Sequence, residues 1–287
     1  MKGIRFALIA AVISGFSIFI NKLAVTGINP LTFTATKNFG VGLLIVSVLI
    51  FTRKISLIKS LSVNQIAKLI VIGVIGGSLP FYLFFTGLSQ TSAVNAAIIQ
   101  KTLVIWVAIL APVFLKEKIS LFSVGAVALL FYANTMVGGF KKFSFSQGEI
   151  MIFVATVLWA IETVVAKKAL REIDVDLVTA SRMGFGSIIL LTAAGGLHPL
   201  SLNQFYWVAI TAVILFCYVS FWYRALKYSP AVSVTAVLVL STLITNLLSA
   251  KIDVSQMLIM SLAAGLLLLE LYWSKILSSF ALLWSKA

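Results

Sequence analysis

Charge is scarce in this chain. Only 10% of its 287 residues are Asp, Glu, Lys or Arg, against about 25% in a soluble domain. There are 8 acidic residues, one histidine and one cysteine. The lone Cys217 rules out an internal disulfide and sits in an apolar run, where it reads as packing. His198 precedes Pro199 in a predicted loop and supplies neither a His cluster for metal nor a His-based catalytic set within a span. The chain has no P-loop, no Gly-x-Gly-x-x-Gly, no Cys/His metal spacing and no nucleophile elbow. No cofactor and no metal is therefore expected, and no enzyme activity. Any energy its work needs would come from a gradient or from substrate exchange, unless a partner supplies nucleotide hydrolysis. No long polar segment exists to form a soluble domain. Met1-Lys2-Gly3-Ile4-Arg5 opens like a signal peptide, but the apolar run continues to Ile20 without a convincing cleavage site. We read it as a retained first crossing.

What the chain does have is apolar length. It is 61% hydrophobic, with a mean hydropathy of +1.12. That composition belongs to an all-α membrane protein. The net charge of +14 would suggest nucleic acid in a soluble protein, but here it fits the loops of a multi-pass chain, and no nucleic-acid partner is expected. Ten helices are predicted: Arg5–Val25, Pro30–Phe51, Ile66–Leu88, Ala93–Leu115, Leu121–Gly139, Glu149–Leu170, Leu177–Leu197, Phe205–Leu226, Ala231–Ala250 and Gln256–Trp273. With the N-terminus inside, fifteen lysines and arginines fall on inner segments and four on outer ones. The positive-inside rule then places both termini in the cytoplasm. The tail Ser274–Ala287 alternates apolar residues with two lysines, as an interfacial helix or as an extension of the last span.

The sequence repeats. Phe85-Thr86-Gly87-Leu88-Ser89-Gln90-Thr91-Ser92-Ala93-Val94 matches Tyr223-Arg224-Ala225-Leu226-Lys227-Tyr228-Ser229-Pro230-Ala231-Val232. Ala35-Thr36-Lys37 matches Ala180-Ser181-Arg182, and Asn21-Lys22-Leu23-Ala24 matches Lys167-Lys168-Ala169-Leu170. Five crossings per copy is an odd number, so the second copy is inserted upside down. The predicted units are 1–140 and 146–274, two inverted five-helix repeats, with 275–287 as a tail. Inverted repeats around a midplane site are an architecture of alternating-access carriers.

With these motifs the sequence resembles EamA-type members of the drug/metabolite transporter superfamily. The resemblance is carried by Gly15-Phe16-Ser17, Lys22, Ala35-Thr36-Lys37, the Thr86–Ala93 run, Leu115-Lys116-Glu117-Lys118 and the Tyr223–Ala231 run. It implies a ten-helix inner-membrane carrier, often an exporter of amino acids or other small metabolites. Three departures stand out. The family's Leu-Gly-Glu after the fourth helix reads Leu115-Lys116-Glu117, its second copy is degraded to Lys251-Ile252-Asp253, and the proline often found early in the fourth helix is absent.

Lys101 lies mid-span beside Gln100 and Thr102. A charge at that depth costs several kcal/mol unless it faces protein, water or ligand. It binds a substrate carboxylate or phosphate, or it is a buried structural lysine. Glu162 is the one carboxylate well inside a predicted span. It is a candidate for proton coupling, for binding an ammonium, or for neutralising Lys101. A lysine and a glutamate at comparable depth suit a zwitterion. Gln100, Trp106, Trp159 and Tyr82 complete the expected substrate contacts. Lys37 and Arg182 occupy equivalent positions and read first as structural; facing the cavity, they would favour a phosphate or dicarboxylate. The expected function is a secondary transporter exporting an amino acid or related zwitterion. The alternative is an organic-anion or phosphate-ester exchanger, and an intramembrane enzyme or lipid transporter ranks below both. The expected partners are the small-molecule substrate, the bilayer and a coupling proton, with the carrier a monomer or homodimer.

Overall fold

The computed structural model describes residues 2–119, 121–135 and 143–249, together with 257–259, 261–262, 264–266 and 269. The end of the predicted fifth helix, half of the tenth and the whole tail lie outside the described residues. Within them every regular element is helical: α1 (Lys2–Thr26), α2 (Pro30–Phe51), a 3-10 segment (Lys54–Ser60), α3 (Val63–Gly77), α4 (Leu79–Gln90), α5 (Ala93–Lys101), α6 (Leu103–Leu115), α7 (Leu121–Thr135), α8 (Gln147–Ala169), α9 (Val175–Ala194), α10 (Leu202–Tyr228), α11 (Ala231–Val239) and α12 (Ser241–Ser249). Among the described residues, eight segments are long and apolar enough to cross a membrane, with α3–α4, α5–α6 and α11–α12 each counted as one.

Local chemistry sets the helix starts. Asn29 caps α2 ahead of Pro30, Ser92 caps α5, Ser146 caps α8, and Ser62 and Ser201 form capping boxes with Gln65 and Gln204. Gly195, at φ 75°, ends α9. Lys116 ends α6 at φ 58°, the left-handed position where the family's glycine would sit without a steric penalty.

Three crossings predicted as continuous helices are broken, at Ser78, Thr102 and Leu240. At Ser78 the cause is Pro80 in the first turn of α4. Proline has no N–H, so the carbonyl of Gly76, four residues back, loses its helical donor. Gly77 just before the break lies against α9: a Cβ there would meet the Arg182 carbonyl oxygen at 1.8 Å. Only glycine permits that approach of two backbones. The breaks at Thr102 and Leu240 fall at equivalent points of the two aligned runs.

Helix ends gather on two faces. On one, Lys2 lies 4.6 Å from the Tyr228 ring centroid, Lys68 pairs with Glu172, and Lys54 and Arg224 converge on Asp174 and Asp176. On the opposite face Lys22 donates to the carbonyls of Leu88 and Ser89, Asn95 donates to Glu149 and Gln204 donates to the Gly27 carbonyl. On the first face Lys167 donates in the same way to the carbonyls of Leu226 and Ser229. By its bonding the counterpart of Lys22 is thus Lys167, one residue away from the sequence alignment's Lys168. The core runs between these faces, where α1 packs on α10, α2 on α9 and α4 on α8.

Candidate functional site

A cavity of about 60 Å³ lies in the middle of the bundle. That volume holds a few waters and is far below the roughly 300 Å³ of a typical small-molecule site. Its walls come from several helices. Ser14, Ser17 and Asn21 form one stripe of α1, Gln100 closes α5, and Phe81, Phe84 and Phe85 come from α4. Trp159, Glu162 and Thr163 come from α8, Arg182 from α9, and Tyr218 and Trp222 from α10.

Arg182 and Glu162 are the charged groups on this wall. Arg182 Nε donates to the Gly76 carbonyl at 3.1 Å, and Trp159 Nε1 donates to the same oxygen at 3.1 Å. This is the carbonyl freed by Pro80, so one missing backbone N–H orients two cavity side chains. The Arg182 guanidinium stands 5.2 Å from the Phe81 ring and 5.6 Å from the Tyr223 ring. Its Nη1 is buried and has no hydrogen-bond partner among the described residues. Glu162 accepts a short hydrogen bond from Tyr223 Oη. Phe81 meets Trp159 edge-on at 5.3 Å, and Tyr218 stacks with Trp222 at 6.1 Å, so much of the remaining wall is aromatic.

Gln100, Trp159 and Glu162 thus line the cavity together with Arg182. Lys101, 1% exposed, stands one layer behind. Its Nζ donates to Ser14 Oγ at 3.0 Å and Gln100 Oε1 at 2.7 Å, both belonging to wall residues. It forms no ion pair with Glu162 among the described residues. Lys37 is likewise behind the wall. It donates to Asn21 Oδ1 at 3.0 Å and lies 3.3 Å from the Phe85 ring centroid. Trp106 packs edge-on against Phe153 at 5.6 Å and does not line the cavity; neither does Tyr82. Tyr223 is the residue that sequence reasoning passed over. The signal was present, because Tyr223 aligns with Phe85 in the repeat and adds one hydroxyl in a buried position.

The model of the EamA-like transporter family matches residues 1–138 and again 146–269. The chain belongs to the EamA-like transporter family. Its EamA-like relatives include the uncharacterized transporter YyaM of Bacillus subtilis, 30% identical over 193 residues, covering 63% of this chain and 62% of the relative. An uncharacterized transporter of Archaeoglobus fulgidus is 28% identical over 193 residues, covering 61% of this chain and 64% of its own length. Both matches thus span less than two thirds of these relatives. A solved crystal structure superposes with a TM-score of 0.69 over 93% of this chain and 98% of its own, at 14% identity, which shows a shared fold. This EamA-like chain is a multi-pass membrane protein of a transporter family.

Proposed function

We propose that the protein is a secondary transporter that moves a small zwitterion of the amino-acid class by alternating access, as an exporter in the inner membrane. The supporting observation is that a guanidinium and a carboxylate, Arg182 and Glu162, face one small aromatic-walled cavity. The guanidinium keeps an unused donor, Nη1. A substrate carboxylate takes that donor, and the ammonium takes Glu162 with the oxygens of Ser17 and Gln100. Glu162 also carries the coupling proton, exchanging it against the ammonium while Tyr223 holds the carboxylate in place.

The proposed frame is ten crossings in two inverted repeats, 1–140 and 146–274, with both termini in the cytoplasm. The double family match and the equivalent breaks at Thr102 and Leu240 support this duplication. The small cavity then opens to each face in turn as the two halves rock.

A second reading has its own observation. Lys101 and Lys37 each touch wall residues from behind, so three cations surround one carboxylate. That excess suits an organic anion or phosphate ester.

The test is counterflow in proteoliposomes preloaded with pooled amino acids, with wild type, Arg182→Gln and Glu162→Gln. Uptake lost in both variants, with unchanged melting, supports the zwitterion carrier. Uptake of dicarboxylates or phosphate esters, and of no amino acid, selects the anion reading. Uptake unchanged in Arg182→Gln removes this cavity as the site.

A further inference from the structure

A second recess lies on the outside of the bundle and plays no part in the transport reading. It is a groove of about 340 Å³ between α2, the 3-10 segment, α3 and α9. Val46, Ile58, Ile66, Ala180, Gly184 and Ile188 are among its lining residues. Ile58 and Ile188 are 47% and 61% exposed, so the groove opens sideways into the region where lipid tails lie. Along α9 it extends from Leu177 to Ile188, roughly 16 Å at 1.5 Å per residue. That is about half the hydrocarbon thickness, or one leaflet.

Gly184 keeps the groove open. A Cβ at this helical glycine would meet nothing within 4 Å, unlike Gly77 and Gly186, which are pressed together. No neighbouring helix demands a glycine here, although glycine weakens a helix relative to alanine. At its basic-face end the groove is bordered by the 3-10 segment, which buries none of its residues. Arg53 and Lys59 flank the groove residues Ile55 and Ile58, are exposed, and form no ion pair among the described residues. Lys54 and Lys68, by contrast, are each engaged with carboxylates.

We propose that this groove holds one anionic phospholipid from the leaflet on the basic face. An acyl chain lies along Ala180, Gly184 and Ile188, and the headgroup phosphate meets Arg53 and Lys59. Apolar depth of one leaflet and unpaired cations at its mouth match the two parts of such a lipid and of no soluble metabolite.

Native mass spectrometry of the full chain, released from detergent with added phosphatidylglycerol or phosphatidylcholine, reads this directly. Phosphatidylglycerol is expected to bind roughly tenfold more tightly, given two nearby cations. The Arg53→Gln/Lys59→Gln double variant is expected to bind both lipids alike. Gly184→Leu, which fills open space rather than displacing a neighbour, is expected to weaken both. Equal binding of the two lipids by wild type overturns the proposal, as does a preference that survives in the double variant. Displacement of the lipid by soluble glycerol phosphate at similar concentration overturns it too, since the chain would then contribute nothing. Circular dichroism melts of each variant show that the fold is kept.

Discussion

At the scale of single residues, Pro80 is the decisive one. It removes a backbone donor, and the freed Gly76 carbonyl collects Arg182 Nε and Trp159 Nε1 at 3.1 Å each. A net hydrogen bond to a charged group contributes about 1.5–3 kcal/mol, so this oxygen fixes the guanidinium more firmly than packing alone. Pro80→Ala restores an N–H that competes for the same acceptor and lets α3 run on into α4. The expected outcome is a helix at least as stable, seen as an unchanged or higher melting temperature, with substrate affinity in counterflow lowered about tenfold, the equivalent of roughly 1.4 kcal/mol. A parallel loss of melting temperature would mean that the break serves packing instead. Glu162 and Arg182 were conspicuous in the sequence as charges inside apolar runs, although Arg182 reads there first as structural. Pro80 was not, because the apolar run predicted as one helix, Ile66–Leu88, continues through it, and hydropathy does not register a missing N–H. Lys101 was conspicuous in the same way, yet it stands behind Ser14 and Gln100, and hydropathy carries no information on which side of a helix faces the cavity.

At the scale of elements, helix ends are tied by side chains from elsewhere in the chain. α11 follows Pro230, which offers no side-chain cap. Glu117, just past α6, fills that role by accepting from the N–H groups of Ala231 and Val232 at 2.9 and 3.2 Å. A carboxylate at a helix N-terminus is favoured by both the free donors and the dipole. Glu117→Ala is expected to cost about 1–2 kcal/mol, measured by urea or thermal unfolding in detergent, with Glu117→Asp recovering part of it. In this chain the glutamate of the Leu115-Lys116-Glu117 turn thus caps a distant helix. Here the turn is made by Lys116 in the left-handed region, while the cap is intact.

A second tie joins the 3-10 segment to α9 and α10. Lys54 Nζ donates to Asp176 at 2.6 Å and Asp174 at 3.0 Å, and Arg224 donates to Asp176 at 2.7 Å. Partial burial lowers the Lys54 pKa, but bonding to Asp176 and Asp174 outweighs it and leaves lysine above its usual value. Partial burial raises Asp174, but the Asp176 N–H and Lys54 outweigh that and hold it below the usual carboxylate range. The signs give the pH window. A depressed carboxylate stabilises above its unfolded pKa and loses that contribution as pH falls through the folded one; a raised lysine stabilises below its unfolded pKa and loses it as pH rises through the folded one. The melting difference between wild type and Asp174→Asn is therefore expected to be flat from about pH 5 to about pH 9 and to shrink below about pH 4. Its size is expected to be about 1 kcal/mol or less, since both groups are partly exposed. A difference that grows in acid would break this account.

At the scale of the whole molecule, the two faces carry the topology. The duplicated runs and the excess of lysine and arginine on alternate loops were legible because both are one-dimensional properties. The breaks at Thr102 and Leu240 were not, since no proline or glycine marks either, and the register of Lys22 with Lys167 emerges only from their shared habit of bonding a neighbouring helix's last carbonyls. The N-terminus lies with Lys54, Asp176 and Arg224, while Gly27, Ser89 and Gln204 lie opposite. On the proposed orientation, with the basic face cytoplasmic, reagents on the two sides reach different residues. The chain has one native thiol, Cys217, so a Cys217→Ser background is thiol-free. In that background Gln204→Cys is expected to react with a membrane-impermeant maleimide added to intact cells. Ser62→Cys is expected to react only after the membrane is opened. The reverse pattern would turn the molecule over and make the basic face external, and the direction of transport would have to be argued again from the opposite side. Labelling of both sites in intact cells would place Ser62 and Gln204 on one side, which a bundle with these two faces does not allow.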